Sequence, residues 1–252
     1  MIVLDNLTKH FGSHTVVKRA SAEFKLGKVT SIIGPNGAGK STLLSMASRL
    51  MSRDGGQVWI DSKELVDWDT KALAKRLAVL RQSNSITMRF TIRELVEFGR
   101  FPHSQGALNS DDRRVIDRSI HYLDLSEIQH QYLDELSGGQ RQMAFIAMVM
   151  AQDTDYVFLD EPLNNLDIKH SIKIMSTIRR LAQELNKAVV IVIHDINFAS
   201  CYSDYIIALK QGEVVANGCV SEVIDESILS EIYETPFNII EHDGNRVCLY
   251  YS

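Results

Sequence analysis

Apolar and polar residues alternate along the first part of the chain, and a repeat of two residues is typical of β-strands. Residues 188–194, AVVIVIH, are almost continuously apolar, which favours a strand buried on both faces of a parallel sheet. On these patterns, strands are predicted within 2–33 and at 57–61, 77–82, 156–160, 188–194, 205–212 and 213–218.

From about residue 88 the apolar positions recur every three to four residues, which predicts helices. Asp111 and Asp112 suit the first turn of one of them, because acidic side chains stabilise the positive end of a helix. Strand character returns at Tyr156. The pattern therefore predicts a helical insertion over about 88–152 within a chain of alternating strands and helices.

Further helices are predicted over 167–185, 196–203 and 221–233. The tail, 238–251, is expected to form a β-hairpin turning at Asp243-Gly244-Asn245, because this sequence suits a tight turn. We expect a single α/β domain over residues 1–252, with an antiparallel β portion at its N-terminus.

The composition narrows the possible classes of protein. The 252 residues are 45% hydrophobic with a net charge of −5, and the charge argues against nonspecific binding of nucleic acid. The three cysteines lack the spacing of a zinc site or a disulfide framework. The N-terminus lacks the apolar core of a signal peptide, and the longest apolar runs are too short to span a membrane. We therefore expect a soluble chain that reaches a membrane only through a partner.

Residues 34–42, GPNGAGKST, match the pattern G-x-x-x-x-G-K-[ST] between a predicted strand and a predicted helix. Backbone N–H groups of such a phosphate loop turn inward, and the helix N-terminus adds positive potential, so a triphosphate binds there. Lys40 would contact the β- and γ-phosphates and Ser41 would bind Mg²⁺. A glycine-rich turn that matches by chance is the alternative. The loop residues expected to contact the nucleotide are Gly34, Pro35, Asn36, Gly37, Ala38, Gly39, Lys40, Ser41 and Thr42.

Other polar residues follow predicted strands. Asp160 and Glu161 end the strand 156–160, where Asp160 could hold Mg²⁺ and Glu161 could polarise a water for attack on the γ-phosphate. Gln82 and His194 end two further strands and could reach the same phosphate or metal. A solvated Asp-Glu loop start and a structural histidine are the simpler alternatives.

Two further segments complete the candidate site. The sequence LSGGQ, 136–140, begins an apolar helix whose N-terminus could bind an anion, although a small-residue helix cap is also possible. Phe11 could stack on adenine or pack in the core.

The order of these motifs resembles that of the ATP-binding cassette ATPases. The resemblance covers essentially the whole chain and implies a P-loop NTPase fold with a RecA-like core sheet, an N-terminal antiparallel β subdomain and an inserted helical subdomain. It implies ATP and Mg²⁺ as ligands. Because two cassettes of this family enclose two ATP molecules, it also implies a second ATPase subunit, which we expect to be identical to the first. The implied roles are adenine stacking for Phe11, Mg²⁺ binding for Ser41, Gln82 and Asp160, catalysis for Lys40, Gln82, Glu161 and His194, and ATP contacts for Ser137, Gly138, Gly139, Gln140 and Asp167.

Three local segments, 98–103, 161–170 and 193–204, resemble the ATPases of bacterial iron–siderophore importers. This implies membrane permease partners that contact residues 88–105, an indirect link to a substrate-binding protein, and a place at the cytoplasmic face of the cell membrane. An ATPase of a vitamin B12 or haem importer is the nearest alternative. A cassette ATPase that acts on nucleic acid or the ribosome, and a regulator that binds nucleotide without hydrolysis, are the others.

Overall fold

A computed structural model describes residues 1–82 and 88–250 of the chain. Its backbone contacts divide the chain into two compact units. The first unit combines residues 1–68 with the segment from Ile178 onward, and the second is residues 69–177.

Strands and helices alternate along much of the chain. The strands are β1 (Ile2–Phe11), β2 (His14–Phe24), β3 (Val29–Ile33), β4 (Gly55–Ile60), β5 (Lys63–Glu64), β6 (Leu77–Leu80), β7 (Tyr156–Asp160), β8 (Ala188–Val192), β9 (Tyr205–Lys210), β10 (Glu213–Cys219), β11 (Asn238–His242) and β12 (Asn245–Leu249). The α-helices are α1 (Lys40–Ala47), α2 (Thr70–Ala74), α3 (Ile92–Phe98), α4 (Phe101–Ser104), α5 (Ser110–Tyr122), α6 (Gly138–Ala151), α7 (Ile168–Leu185), α8 (Ile196–Tyr202), α9 (Val220–Val223) and α10 (Glu226–Tyr233).

Two sets of strands form the first unit. β2, β1, β4 and β5 pair in that order as an antiparallel sheet, and the inward side chains of β1, such as Ile2 and Leu7, are fully buried. β3 lies between β8 and β9 and is parallel to both, while β10 is antiparallel to β9. All five residues of β3 and of β8 are buried, and for β8 this confirms the prediction from its continuous apolar run.

The second unit combines a parallel strand pair with the predicted helices. β6 pairs with β7, and α3, α5 and α6 pack against one another. α6 buries side chains such as Met143, Phe145 and Ile146. Asn109 and Asp112 form a capping box at the start of α5, which confirms that the acidic residues lie in its first turn. The helical subdomain and the α/β fold class are therefore confirmed.

Some predicted boundaries are wrong. Gln82 and His194 do not end strands, because β6 stops at Leu80 and β8 at Val192; both side chains belong to the loops that follow. The segment 221–233 is two helices, since the Asp225 carboxylate accepts the N–H groups of Ser227 and Ile228 and starts α10 anew.

A hairpin of β11 and β12 follows α10 and lies on α8. The Asn197 side chain makes two hydrogen bonds to the Cys248 backbone, at 3.2 and 2.7 Å, and the Ser200 hydroxyl donates to the Arg246 carbonyl at 2.6 Å. All three cysteines are free thiols, and burial raises the pKa of Cys248 to about 11. Within residues 1–82 and 88–250, no helix combines the length and apolarity needed to cross a membrane.

One ion pair is buried in the helical part of the second unit. Arg100 Nε lies 2.9 Å from Asp112 Oδ1, with only 8% and 3% of these side chains exposed. Arg100 also donates to the Ala151 carbonyl at 2.9 Å, so it links the end of α6 to the start of α5. Burial opposes the charge on Asp112, but hydrogen bonds from the Asn109 N–H and from Arg100 outweigh it, and the net pKa lies below the ordinary value.

Removal of this pair should destabilise the protein. Arg100→Ala would leave a carboxylate buried without its partner, and we expect the free energy of unfolding to fall by about 3–5 kcal/mol in urea titrations at neutral pH. Because the Asp112 pKa is lowered in the folded state, its contribution is present above the ordinary carboxyl pKa and is lost as the pH falls through the folded value. Arg114→Ala is the control, since Arg114 pairs with Asp111 on the surface and should cost less than about 1 kcal/mol. Equal losses in the two variants would contradict this account.

Candidate functional site

The phosphate loop connects β3 directly to α1. Gly39 is the N-cap of α1 and has a left-handed backbone, with φ of 99°. Gly34 begins the loop with φ of 140°, and a Cβ there would lie 2.1 Å from the Leu209 carbonyl oxygen. Only glycine fits this approach, because the obstructing atom is backbone in β9. The predicted loop thus has the strand, turn and helix that its motif requires.

Lys40 lies inside this loop and is 5% exposed. Its Nζ donates to the carbonyl oxygens of Gly34, at 2.8 Å, and Pro35, at 3.0 Å. The ammonium therefore sits at the helix N-terminus among backbone groups of the loop. A positive side chain next to inward-facing N–H groups is suited to bind a phosphate.

Two other residues of the predicted site, His194 and Phe11, lie in the first unit. His194 is exposed and follows β8, whose neighbour β3 leads into the phosphate loop; the Ile193 N–H donates to the Ile32 carbonyl at 3.2 Å. Phe11 ends β1 and is 51% exposed, which excludes the core packing considered for it. The Lys9 ammonium lies 5.6 Å from its ring centroid.

In the second unit, Gln82 and Glu161 meet. β6 and β7 are parallel, so the residues after them lie at one edge, and Gln82 Nε2 donates to Glu161 Oε2 at 2.6 Å. The Asn164 amide donates to the same oxygen. Glu161 has a positive φ of 49°, an uncommon conformation for a non-glycine residue that occurs often at functional sites. Asp160, the last residue of β7, is buried.

The segment Ser137–Gln140, termed here the signature segment, starts α6. The Ser137 hydroxyl accepts the Gln140 N–H at 3.3 Å, and the Gln140 side chain accepts the Ser137 N–H at 3.0 Å. This capping box satisfies groups that the helix leaves open. Ser137 and Gly138 are exposed, whereas Gly139 is buried.

Asp167 lies near the signature segment within the second unit. Its carboxylate accepts the His170 N–H at 2.8 Å and contacts His170 Nδ1 at 2.7 Å, and these bonds, the backbone one foremost, lower the Asp167 pKa. The His170 ring lies so close to Gly139 that a Cβ there would be 2.0 Å from it. A Cβ at Gly138 would instead have the Leu166 side chain as its nearest neighbour, at an ordinary contact distance of 3.5 Å.

Sequence reasoning missed three residues that contact this set. Asn164 and His170 lie three residues beyond Glu161 and Asp167, a spacing that places side chains on one turn and could have signalled both contacts. Tyr233 accepts the Gly34 N–H at 3.0 Å across 199 residues of sequence, and no local pattern announces it.

Comparisons with known proteins agree with this geometry. A family model described as ABC transporter matches residues 17–164, more than half of the chain. YclP, a petrobactin import ATP-binding protein of Bacillus subtilis strain 168, is 54% identical over 252 residues, covering 100% of both chains. FatE, a petrobactin import ATP-binding protein of Bacillus anthracis, is 46% identical over 250 residues, covering 99% of this chain and 100% of FatE.

A solved structure supports the same assignment. The dimeric ATP-binding cassette MJ0796, in a post-hydrolysis state with ADP and Pi, is 33% identical and covers 87% of this chain and 99% of its own, with a TM-score of 0.76. The chain belongs to the ABC transporter family. It is an ATP-binding cassette ATPase, which binds and hydrolyses ATP.

The two glycines of the signature segment should respond differently to alanine. Gly139→Ala forces its Cβ into the His170 ring, which Asp167 holds in place, so we expect the free energy of unfolding to fall by about 1–3 kcal/mol. Gly138→Ala is the matched control, because its Cβ meets only an ordinary contact and alanine favours the helix by up to ~1 kcal/mol. Urea unfolding of both variants would test this, and coincident midpoints would refute it.

Proposed function

We propose that this chain is the ATP-hydrolysing subunit of a bacterial ABC importer and that it energises uptake of an iron(III)–siderophore complex. The observation that carries the proposal is the full-length similarity to two petrobactin import ATP-binding proteins. Ferric petrobactin is therefore the first substrate to test.

ATP would bind mainly on the first unit's phosphate loop. The exposed Phe11 ring offers a face for adenine, and the loop N–H groups with the Lys40 ammonium offer positive charge for the phosphates. Lys40 now contacts two carbonyls, so it would exchange these for phosphate oxygens when ATP binds. The loop residues Gly34 to Thr42 supply the remaining contacts.

Mg²⁺ would be held by Ser41, Gln82 and Asp160. Their side chains offer a hydroxyl, an amide oxygen and a carboxylate, which are the oxygen ligands that Mg²⁺ prefers, and Mg²⁺ commonly uses few protein ligands together with substrate phosphates. The bound ion would neutralise charge on the phosphates during transfer. These donor types fit the ion.

Glu161 would act as the general base for the water that attacks the γ-phosphate. Gln82 and Asn164 both donate to Glu161 Oε2, and two amide donors on one oxygen orient the carboxylate. His194 and Lys40 would stabilise the charge that develops on the γ-phosphate. Because Gln82 contacts Glu161 and is followed closely by the proposed permease surface, its position would link partner contact to hydrolysis.

Replacement of Glu161 should separate binding from hydrolysis. Glu161→Gln keeps the side chain's shape and removes its basicity, so ATP should still bind while the turnover rate falls by ~10²-fold or more. Equilibrium binding of ATP and release of phosphate measure the two effects. A turnover rate near that of the unmodified protein would place the base elsewhere.

A second copy of this subunit would complete each ATP site. Ser137 and Gly138 of the signature segment are exposed at the start of α6, where they can contact a nucleotide held by a partner. The adjoining Gly139, Gln140 and Asp167 would either contact the same nucleotide or hold Ser137 and Gly138 in place. The related cassette MJ0796 is dimeric in its solved structure, which supports this arrangement.

The permease would dock on an apolar groove in the helical part of the second unit. The groove has a volume of about 290 Å³, and its lining includes Phe90, Phe98 and Phe101 with Glu94 and Glu97. Phe98 and Phe101 are 50% and 60% exposed. A lining of aromatic and acidic side chains suits a partner helix that carries apolar and basic residues.

Docking on such a permease would hold the chain at the cytoplasmic face of the cell membrane. A substrate-binding protein would then act through the permease, without contacting this subunit. The net charge of −5 gives no support for a nucleic-acid partner.

Cells that lack this gene should fail to take up labelled iron supplied as ferric petrobactin. The unmodified gene should restore uptake, whereas Lys40→Ala should not, because the loop loses its phosphate-binding cation. Phe101→Asp should also impair uptake, since a carboxylate in an apolar interface is costly to desolvate, while ATP binding by the isolated variant stays intact. Val66→Asp, at an exposed apolar residue outside the groove, is the control and should restore uptake.

Each alternative predicts a different result in the same strains. If the deletion strain takes up iron normally and has no other cassette gene that could substitute, the siderophore proposal is excluded. If that strain instead loses uptake of vitamin B12 or haem, an importer of that compound is favoured. If the chain does not associate with the membrane when it is expressed with its neighbouring genes, a cassette ATPase without a role in transport is favoured.

A further inference from the structure

The backbone of Gly34 is held through both of its polar groups. Its N–H donates to Tyr233 Oη at 3.0 Å, and its carbonyl accepts Lys40 Nζ at 2.8 Å. The Leu209 carbonyl blocks movement toward β9. The conformation of the Gly34 backbone therefore sets where its carbonyl oxygen holds the Lys40 ammonium.

Tyr233 is itself firmly placed. It is the last residue of α10, and Lys210 at the end of β9 anchors that helix by donating to the Glu231 carbonyl at 2.5 Å and pairing with Glu234 at 2.9 Å. β9 is the strand whose Leu209 abuts Gly34. The helix that carries the Tyr233 phenol and the phosphate loop that the phenol contacts are thus both held against β9.

An aromatic cluster connects Tyr233 to the C-terminal segment. Its ring centroid lies 5.7 Å from that of Phe237, which lies 5.3 Å from that of Tyr250 just after β12. Burial raises the pKa of Tyr233 to about 12, so the phenol stays neutral at physiological pH. A neutral hydroxyl oxygen is a suitable acceptor for the Gly34 N–H.

We infer that Tyr233 is a positioning residue for ATP binding: its hydroxyl orients the backbone of Gly34, the first residue of the phosphate loop, and through that backbone Lys40. The C-terminal segment thereby serves the nucleotide site, although it contributes no residue of the loop motif. The inference depends on the ATPase assignment and is independent of the imported substrate.

The test compares two variants of the full chain, each of which lacks one side-chain hydroxyl. Tyr233→Phe keeps the ring and removes the acceptor, and loss of one such hydrogen bond should raise the dissociation constant for Mg·ADP and the KM for ATP by about 2–10-fold. We expect kcat to change less than KM, because the reacting groups remain. Ser200→Ala removes a buried hydroxyl that donates to Arg246 in the hairpin, and should leave both constants unchanged.

Two results would overturn the inference. One is an unchanged dissociation constant in Tyr233→Phe, and the other is equal weakening in both variants, which would indicate a general loss of stability. The Gly34 amide gives a direct readout by NMR of ¹⁵N-labelled protein. It should be protected from hydrogen exchange in the unmodified chain and shift in Tyr233→Phe but not in Ser200→Ala, and an unprotected or unshifted signal would also refute the inference.

Discussion

The phosphate loop of the first unit depends on one buried cation. Lys40 cannot remain charged and 5% exposed without partners, and backbone carbonyls at Gly34 and Pro35 supply them. This requires a loop that folds back on its own lysine. The fully buried strand β3 holds the start of that loop, and α1 begins at the lysine itself. The predicted phosphate site is therefore a property of the backbone as much as of its side chains.

In the second unit, α6 starts at the exposed signature segment, where the first N–H groups of the helix need hydrogen-bond partners. The capping box between Ser137 and Gln140 satisfies the open N–H groups of α6, and the buried Gly139 allows the His170 ring to approach. At the other end of α6, Arg100 binds the Ala151 carbonyl and Asp112. The helix is thus fixed at both ends by polar contacts.

The segment 98–103 contains both polar side chains that hold it in place and exposed aromatic side chains. Arg100 is buried in its ion pair, and His103 contacts the Gln152 carbonyl at 3.0 Å, so these residues hold the segment in place. Phe98 and Phe101 remain exposed on the groove. Exposed aromatic side chains beside hydrogen-bonded polar anchors are suited to a partner surface, because the anchors keep that surface rigid.

Local chemistry explains what the sequence determined by itself. The alternating pattern before residue 33 marked β3, and a continuous apolar run marked β8. The glycine and lysine spacing marked the phosphate loop, and acidic residues marked the start of α5, because each property acts over a few residues. Only the tertiary structure decided contacts between distant segments. Gln82 with Glu161 depends on the pairing of β6 with β7, and Tyr233 with Gly34 depends on α10 reaching the loop across 199 residues. Such contacts follow from packing, which no local repeat encodes.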